Sequence, residues 1–149
     1  MGNNRAISVL DVPYDTAQQL AQFVAVCYVS GYQGEDGFVG MPSGANAPKF
    51  AGFTQAPSAG TAFNPPYSTS FNKVSVRKIG ASMAISNGAI SYGDRLIIAS
   101  AAGDVISVES ELEAGTNPLL FVIGTAESSA SGSGQPISVW IDPQVVPAG

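Results

Sequence analysis

The sequence predicts an all-β fold, a compact antiparallel barrel or a small sandwich, and three observations support this prediction. Residues 74–142 hold short runs of β-branched or alternating apolar residues: VSVRKI, ASMAI, RLIIAS, DVISVES, LLFVIGTA and PISVWI. Turn dipeptides separate many of these runs, among them Asn87-Gly88, Gly93-Asp94 and Gly103-Asp104. The runs also follow one another too closely for helices to alternate with them.

Three further strands are expected earlier in the chain. The segment Phe23–Ser30 is apolar on both faces, because Phe23, Ala25, Cys27 and Val29 alternate with Val24, Val26 and Tyr28. A strand with two apolar faces is central or lies between two layers. We also expect a short strand over Gly37–Met41 that stops at Pro42, and a brief strand over Phe50–Thr54.

We expect one domain with an arm. Residues 1–19 are polar and predict an N-terminal arm, either extended or with a short helix that begins at Asp15 or Thr16. Residues 20–149 form a single β-barrel domain with an irregular loop at about 42–66, a region rich in proline and glycine. The closing strand carries the chain's single tryptophan, Trp140, which either caps a barrel end or lies on an interface.

Charge and composition exclude several classes of partner. Charged residues make up 11% of the 149 residues, against about 25% in an ordinary domain. Such a surface is typical of an oligomer or a shell component that neighbours cover, or of a loop-rich β domain without partners. The net charge of −5 argues against nucleic acid. The longest apolar run, Phe23–Val29, is too short to span a bilayer.

The residues that most enzymes use are missing. The chain has no histidine and one cysteine, Cys27, which we expect to be a small buried residue. Glu109, Glu111 and Glu113 alternate beside a turn, a pattern more typical of a solvated face than of paired catalytic carboxylates. Neither a metal-binding loop nor a glycine-rich phosphate loop is present. We therefore expect no enzyme, no cofactor and no metal.

Two groups of residues are candidates for contacts with a partner or a neighbouring subunit. Three of the six cations, Lys73, Arg77 and Lys78, cluster on one predicted strand, with 73 and 77 on one face and 78 on the other. They form either a solvated strand edge that other strands avoid or a docking patch for an acidic surface. The remaining candidates are Arg5 in the arm, Trp140, and the aromatic residues Phe50, Phe53, Phe63 and Tyr67, which either form an exposed patch or fold back over the barrel.

The order of these motifs resembles the small β-barrel capsid decoration (cement) proteins of tailed phages. The resemblance covers residues 20–142 loosely and residues 74–142 best. An early Phe50–Phe53 strand is similar to that of the family. The matching segments in the second half are Gly80–Ile85, Gly93–Ile97, Gly103–Ile106, Val122–Ser128 and Ile137–Ile141. The arm and the 42–66 loop have no obvious counterpart in the shorter members.

The resemblance implies a structural virion protein that is made in the host cytoplasm and binds the outer surface of an icosahedral head. Members form trimers that bridge neighbouring copies of the major capsid protein and stabilise the shell. Two other functions stay open from the residues: a tail or baseplate β module, and a soluble carbohydrate-binding module that stacks sugars on Trp140 and the aromatic loop.

Overall fold

The computed structural model describes residues 9–31, 34–58, 72–109 and 119–147, and these ranges are built from β-strands. No helix within them is long and apolar enough to cross a bilayer. The predicted all-β class is confirmed. The strands are β1 Leu10–Thr16, β2 Ala25–Val29, β3 Phe38–Gly40, β4 Phe50–Thr54, β5 Asn72–Ile85, β6 Arg95–Ile98, β7 Val105–Ser107, β8 Leu119–Ala126 and β9 Pro136–Pro147.

The first five strands close into a barrel. They pair in the order β1-β3-β2-β4-β5, and β1 also pairs with β5, which joins the two ends of the sheet. The sequence predicted either a barrel or a sandwich, and this pairing shows that the fold is a barrel. Closure removes the free edges at which an open sheet would recruit other strands.

The remaining strands form a second sheet that is joined to the barrel through β5. The order continues from β5 through β9, β8 and β6 to β7. A parallel bridge between Ser86 and Val105 brings β7 back to the chain just after β5. The Asn87 N–H donates to the Val105 carbonyl at 2.8 Å and reinforces this return. The second half therefore curls back on β5, so that β5 belongs to both halves of the molecule.

The sequence predicted separate runs at VSVRKI and ASMAI, and this part of the prediction is wrong because the two form one 14-residue strand, β5. Gly80 lies between them with a φ of 105°. A glycine in this conformation bends a strand without ending it. Residues before Gly80 pair with β1 and β4, whereas residues from Gly80 onward pair with β9. The bend thus directs one strand into two sheets.

The predicted arm over residues 1–19 is wrong for the described part of that segment. Residues 10–16 form β1, which pairs antiparallel with β5 from Leu10↔Ile79 to Thr16↔Asn72. No helix begins at Asp15 or Thr16, since both lie within the strand. Residues 1–8 lie outside the described residues. The segment closes the barrel through this pairing, and the Tyr14 side chain packs against the barrel core.

The two apolar faces of β2 pack against two separate cores, as its sequence predicted. Val24 and Val26 point into the barrel, where they join Leu20, Val39, Ala51, Val74 and Val76. Ala25 and Cys27 point to the opposite side, into a larger core shared with β4, β6, β8 and β9. Cys27 is buried as expected, and burial raises the pKa of its thiol to about 11. The strand therefore separates two layers.

Residues 42–58 of the predicted irregular loop at 42–66 are described, and residues 59–66 lie outside the described residues. The described residues contain β4 as expected, and the turn before it is fixed by Asn46, which is 8% exposed. The Asn46 side chain accepts from the Phe121 N–H at 2.8 Å and donates to the Leu119 carbonyl at 2.8 Å. Its backbone N–H donates to Ile98. The Asn46 side-chain amide thus bonds to the backbone of β8 in the way that a neighbouring strand would.

Replacement of Gly103 by alanine is expected to lower the free energy of unfolding by about 2–4 kcal/mol. Gly103 has a φ of 77°, and a Cβ there would lie 2.7 Å from the Ala25 carbonyl oxygen. Gly93→Ala separates the cost of the positive φ from the cost of the close contact. Gly93 has a φ of 89°, but a Cβ there would have free space around it. We expect about 1 kcal/mol for Gly93→Ala and no significant change for Gly132→Ala. Equal values for Gly103→Ala and Gly132→Ala in urea denaturation would contradict this packing.

Candidate functional site

Two cross-strand ion pairs fix the register of the seam between β1 and β5. Asp11 lies opposite Arg77 and Asp15 lies opposite Lys73. The Arg77 guanidinium donates to both carboxylate oxygens of Asp11, at 2.8 and 3.1 Å, and the Lys73 ammonium donates to Asp15. Opposite charges that face each other across a strand pair favour that register over a shifted one.

Arg77 also supports the bend in β5. Its Nη1 donates to the Ala81 carbonyl at 2.9 Å, across the position of Gly80. The hydrogen bond from Arg77 lowers the pKa of the Asp11 carboxyl, although partial burial opposes the effect. Both partners remain in contact with solvent, with 23% of the Arg77 side chain and 33% of the Asp11 side chain exposed. The pair thus connects barrel closure to the path of β5.

These contacts decide between the two interpretations of the cation cluster. The strand-edge interpretation is wrong, because β5 is hydrogen-bonded to neighbours on both sides. The docking-patch interpretation does not apply to Lys73 and Arg77, because carboxylates of this chain already balance their charges. The alternation was predicted correctly: the first two cations bond to aspartates of β1, whereas Lys78 bonds to tyrosines.

Lys78 lies between two tyrosine rings at one end of the barrel, and we call Tyr14, Tyr28 and Lys78 the tyrosine–lysine cluster. The Lys78 ammonium donates to the Tyr14 hydroxyl at 2.8 Å and also to the Tyr28 hydroxyl. It lies 5.4 and 4.8 Å from the two ring centroids. The rings meet edge to face, with centroids 6.0 Å apart. Both kinds of contact favour a protonated amine at this point.

The same contacts change the acidity of the cluster. Burial alone would raise the pKa of Tyr28, but hydrogen bonds from Lys78 and Tyr14 outweigh it and lower that pKa. Burial alone would lower the pKa of Lys78, but the two hydroxyls raise it. The ammonium is therefore retained at neutral pH although the side chain is half-buried. Within the described residues, Lys78 forms no ion pair with a carboxylate.

The candidate aromatic patch is only partly at the surface. Phe53 is fully buried in the larger core, so its proposed role as an exposed contact is wrong and the fold-back interpretation applies to it. Phe50 is half-buried and meets the Phe53 ring edge to face, with the two ring centroids 5.3 Å apart. Phe50 also lines a surface groove of about 210 Å³ with Lys49, Phe121 and Val145. Arg5, Phe63 and Tyr67 lie outside the described residues.

Trp140 lies on the outer face of β9, in the middle of the sheet and not at a barrel end. Its neighbours on either side are Ala81 of β5 and Thr125 of β8, both of which are only partly exposed. Trp140 is 40% exposed, whereas Ile137, Val139 and Ile141 point to the core. Two short side chains beside a large one leave part of its ring accessible to a partner. Trp140 therefore remains a candidate contact residue.

Sequence reasoning missed Asp11, Asp15, Tyr14 and Tyr28. A usable signal was present for the aspartates, because their spacing of four equals that of Lys73 and Arg77 in the opposite chain direction. This is the pattern of two antiparallel ion pairs. For the tyrosines the signal was the alternation of side chains between the two faces of a strand. Tyr28 follows Val24 and Val26 on the barrel side of β2, as Lys78 follows Val74 and Val76 on β5.

Comparison with known proteins finds a similar solved structure but no related sequence family. No protein-family model matches the chain, and no curated protein matches it in sequence. The fold is similar to the crystal structure of the N base of the head fiber gp8.5 of bacteriophage phi29, with a TM-score of 0.56 and 14% sequence identity. The likeness covers 91% of this chain and 95% of the other. At this identity it shows a shared all-β architecture.

The Asp11–Arg77 pair is expected to stabilise the barrel by about 0.5–1 kcal/mol in a double-mutant cycle of Asp11→Asn and Arg77→Met. Because the pKa of Asp11 in the folded protein lies below its ordinary value of 3.8, this stabilisation is complete above that pH. It is lost as the pH falls through the folded-state pKa, where Asp11 becomes protonated. The measurement is urea denaturation from pH 7 to pH 3. Asp36→Asn serves as the control, and a pH-independent coupling would contradict the assignment.

Phe53→Ala is expected to lower the free energy of unfolding by about 3–5 kcal/mol, because it leaves a cavity in the larger core. Phe50→Ala is expected to cost about 1–2 kcal/mol, since that ring is only half-buried. Chemical denaturation of the two variants against the wild-type chain measures both values. Similar costs would mean that the two rings have similar environments, contrary to their burial.

Proposed function

We propose that this chain is a structural protein of a phage virion and that it acts as a decoration protein on the exterior of the head. The observation that carries the proposal is the fold likeness to the base of a phage head fiber, which extends over nearly the whole of both chains. A likeness of this extent supports a common architectural role better than a match to one strand motif would. The decoration role itself is an inference from the motif order in Gly80–Ile141.

Two properties of the molecule support a structural role. The two cores on either side of β2, together with the closed barrel, give a rigid scaffold whose strands are largely paired. The surface has few charges for its size, so contact with neighbouring subunits requires little desolvation of charge. On this proposal the partners are the major capsid protein and other copies of this chain, with a trimer as the expected assembly.

Contacts of moderate area suffice for such a protein. Exposed apolar and aromatic side chains are spread over several faces, among them Ile79, Tyr92, Trp140 and Val145. Each face alone offers a weak interaction. A protein that contacts several subunits at once gains affinity because the second contact forms at high effective concentration. Many copies bound to one shell then make that shell harder to rupture.

The proposal predicts that the chain is a major component of purified particles. Quantitative mass spectrometry of density-banded particles should give a copy number similar to that of the most abundant shell protein. A few copies per particle would favour the tail or baseplate module instead. Absence from the particles would exclude both virion roles, and a soluble carbohydrate-binding module that uses Trp140 would then be the next function to test.

A further inference from the structure

The tyrosine–lysine cluster has more hydrogen-bond donors than acceptors. An ammonium has three N–H donors, and two of those on Lys78 are used by the hydroxyls of Tyr14 and Tyr28. The third N–H is left over. Each tyrosine oxygen already accepts from Lys78, so its own O–H is directed to another acceptor, and only one of the two can use the neighbouring tyrosine. The cluster thus offers an N–H and an O–H to an acceptor from outside.

The charge of the cluster is also unbalanced within this part of the chain. The aspartates of β1 are on the outer face of the seam, where Asp11 bonds to Arg77 and Asp15 to Lys73. Lys78 faces the other way, toward the barrel end, and no described carboxylate pairs with it. The ammonium is thus able to pair with a carboxylate supplied by a partner.

Exposed apolar residues lie at the same end of the β1–β5 pair. Leu10 and Ile79 are cross-strand partners there and are 45% and 51% exposed. Tyr28, within the cluster itself, is 41% exposed. The exposed Tyr28 ring beside the ammonium is the part of the cluster that a protein partner would cover, and covering it excludes water from an ion pair formed there. A small ion in solution would leave the Tyr28 ring uncovered.

We propose that the tyrosine–lysine cluster is the docking point for a single acidic side chain, Asp or Glu, of the capsid protein that this chain binds. The proposal rests on the virion function inferred above. A carboxylate accepts from the free N–H of Lys78 and from the free tyrosine O–H, and it balances the ammonium. A polyanion is a poor alternative, since the chain has a net charge of −5 and repels extended negative charge.

The test measures binding of the purified chain to heads of the source phage that lack it, by co-sedimentation over a range of chain concentrations. Lys78→Met retains most of the side-chain length and removes the charge. It is expected to weaken binding by about 10-fold or more, as for loss of a charge-assisted hydrogen bond at an interface. Tyr28→Phe keeps the cation and the ring and removes one donor, and a smaller loss of about 3-fold or more is expected.

Lys73→Met is the matched control, because Lys73 is a cation of the same strand whose charge Asp15 already balances. It is expected to bind heads within 2-fold of the wild-type chain. Thermal unfolding of each variant verifies that the barrel is intact, and Tyr28→Phe tests the site with the cation in place should Lys78→Met prove unstable. Added salt should weaken binding of the wild-type chain more than that of Lys78→Met.

The outcomes separate the two proposals. If the wild-type chain does not bind heads, the virion function fails and the capsid partner fails with it. If the wild-type chain binds but folded Lys78→Met and Tyr28→Phe bind equally well, the docking point alone is overturned. Light scattering of the free proteins completes the test. A change of oligomeric state in Lys78→Met would assign the carboxylate to a second copy of this chain and overturn the capsid contact.

Discussion

One strand, β5, has to satisfy two sheets at once. Its first half pairs with β1 and β4 to close the barrel, and its second half pairs with β9 to start the second sheet. The bend at Gly80 allows both, and Arg77 bonds to Asp11 on one side of the bend and to the Ala81 carbonyl on the other. The register of the seam and the direction of the second sheet are therefore coupled through a single side chain.

This coupling explains where the sequence was informative. Strands such as β2, β6 and β8 were predictable because their apolar residues and the turns between them are local signals. The continuity of β5 through Gly80 was not, because glycine is equally suited to a turn and to a bent strand. Strand β1 was missed because Asp11, Pro13 and Asp15 make it look like a polar arm. These residues suit a strand whose outer face carries ion pairs to a segment far away in the chain.

The candidate site was predictable only in part. The separation of Lys78 from Lys73 and Arg77 followed from strand alternation. Their partners did not, since pairing depends on the closure of the barrel and not on local sequence. Phe53 was left either in an exposed patch or folded back over the barrel, because its segment is rich in proline and glycine, yet it is a central core residue. Composition describes the segment as a whole, whereas burial is decided by which face of β4 a residue occupies.

The seam also sets the order in which the chain can acquire its structure during translation. The ion-pair partners on β1 and β5 are separated by 58 and 66 residues. At about 5–20 residues per second, a ribosome needs roughly 3–13 seconds to make the second partner after the first. For that time the apolar residues of the first four strands have no finished barrel to enter. The nascent chain is thus exposed to aggregation before β5 emerges.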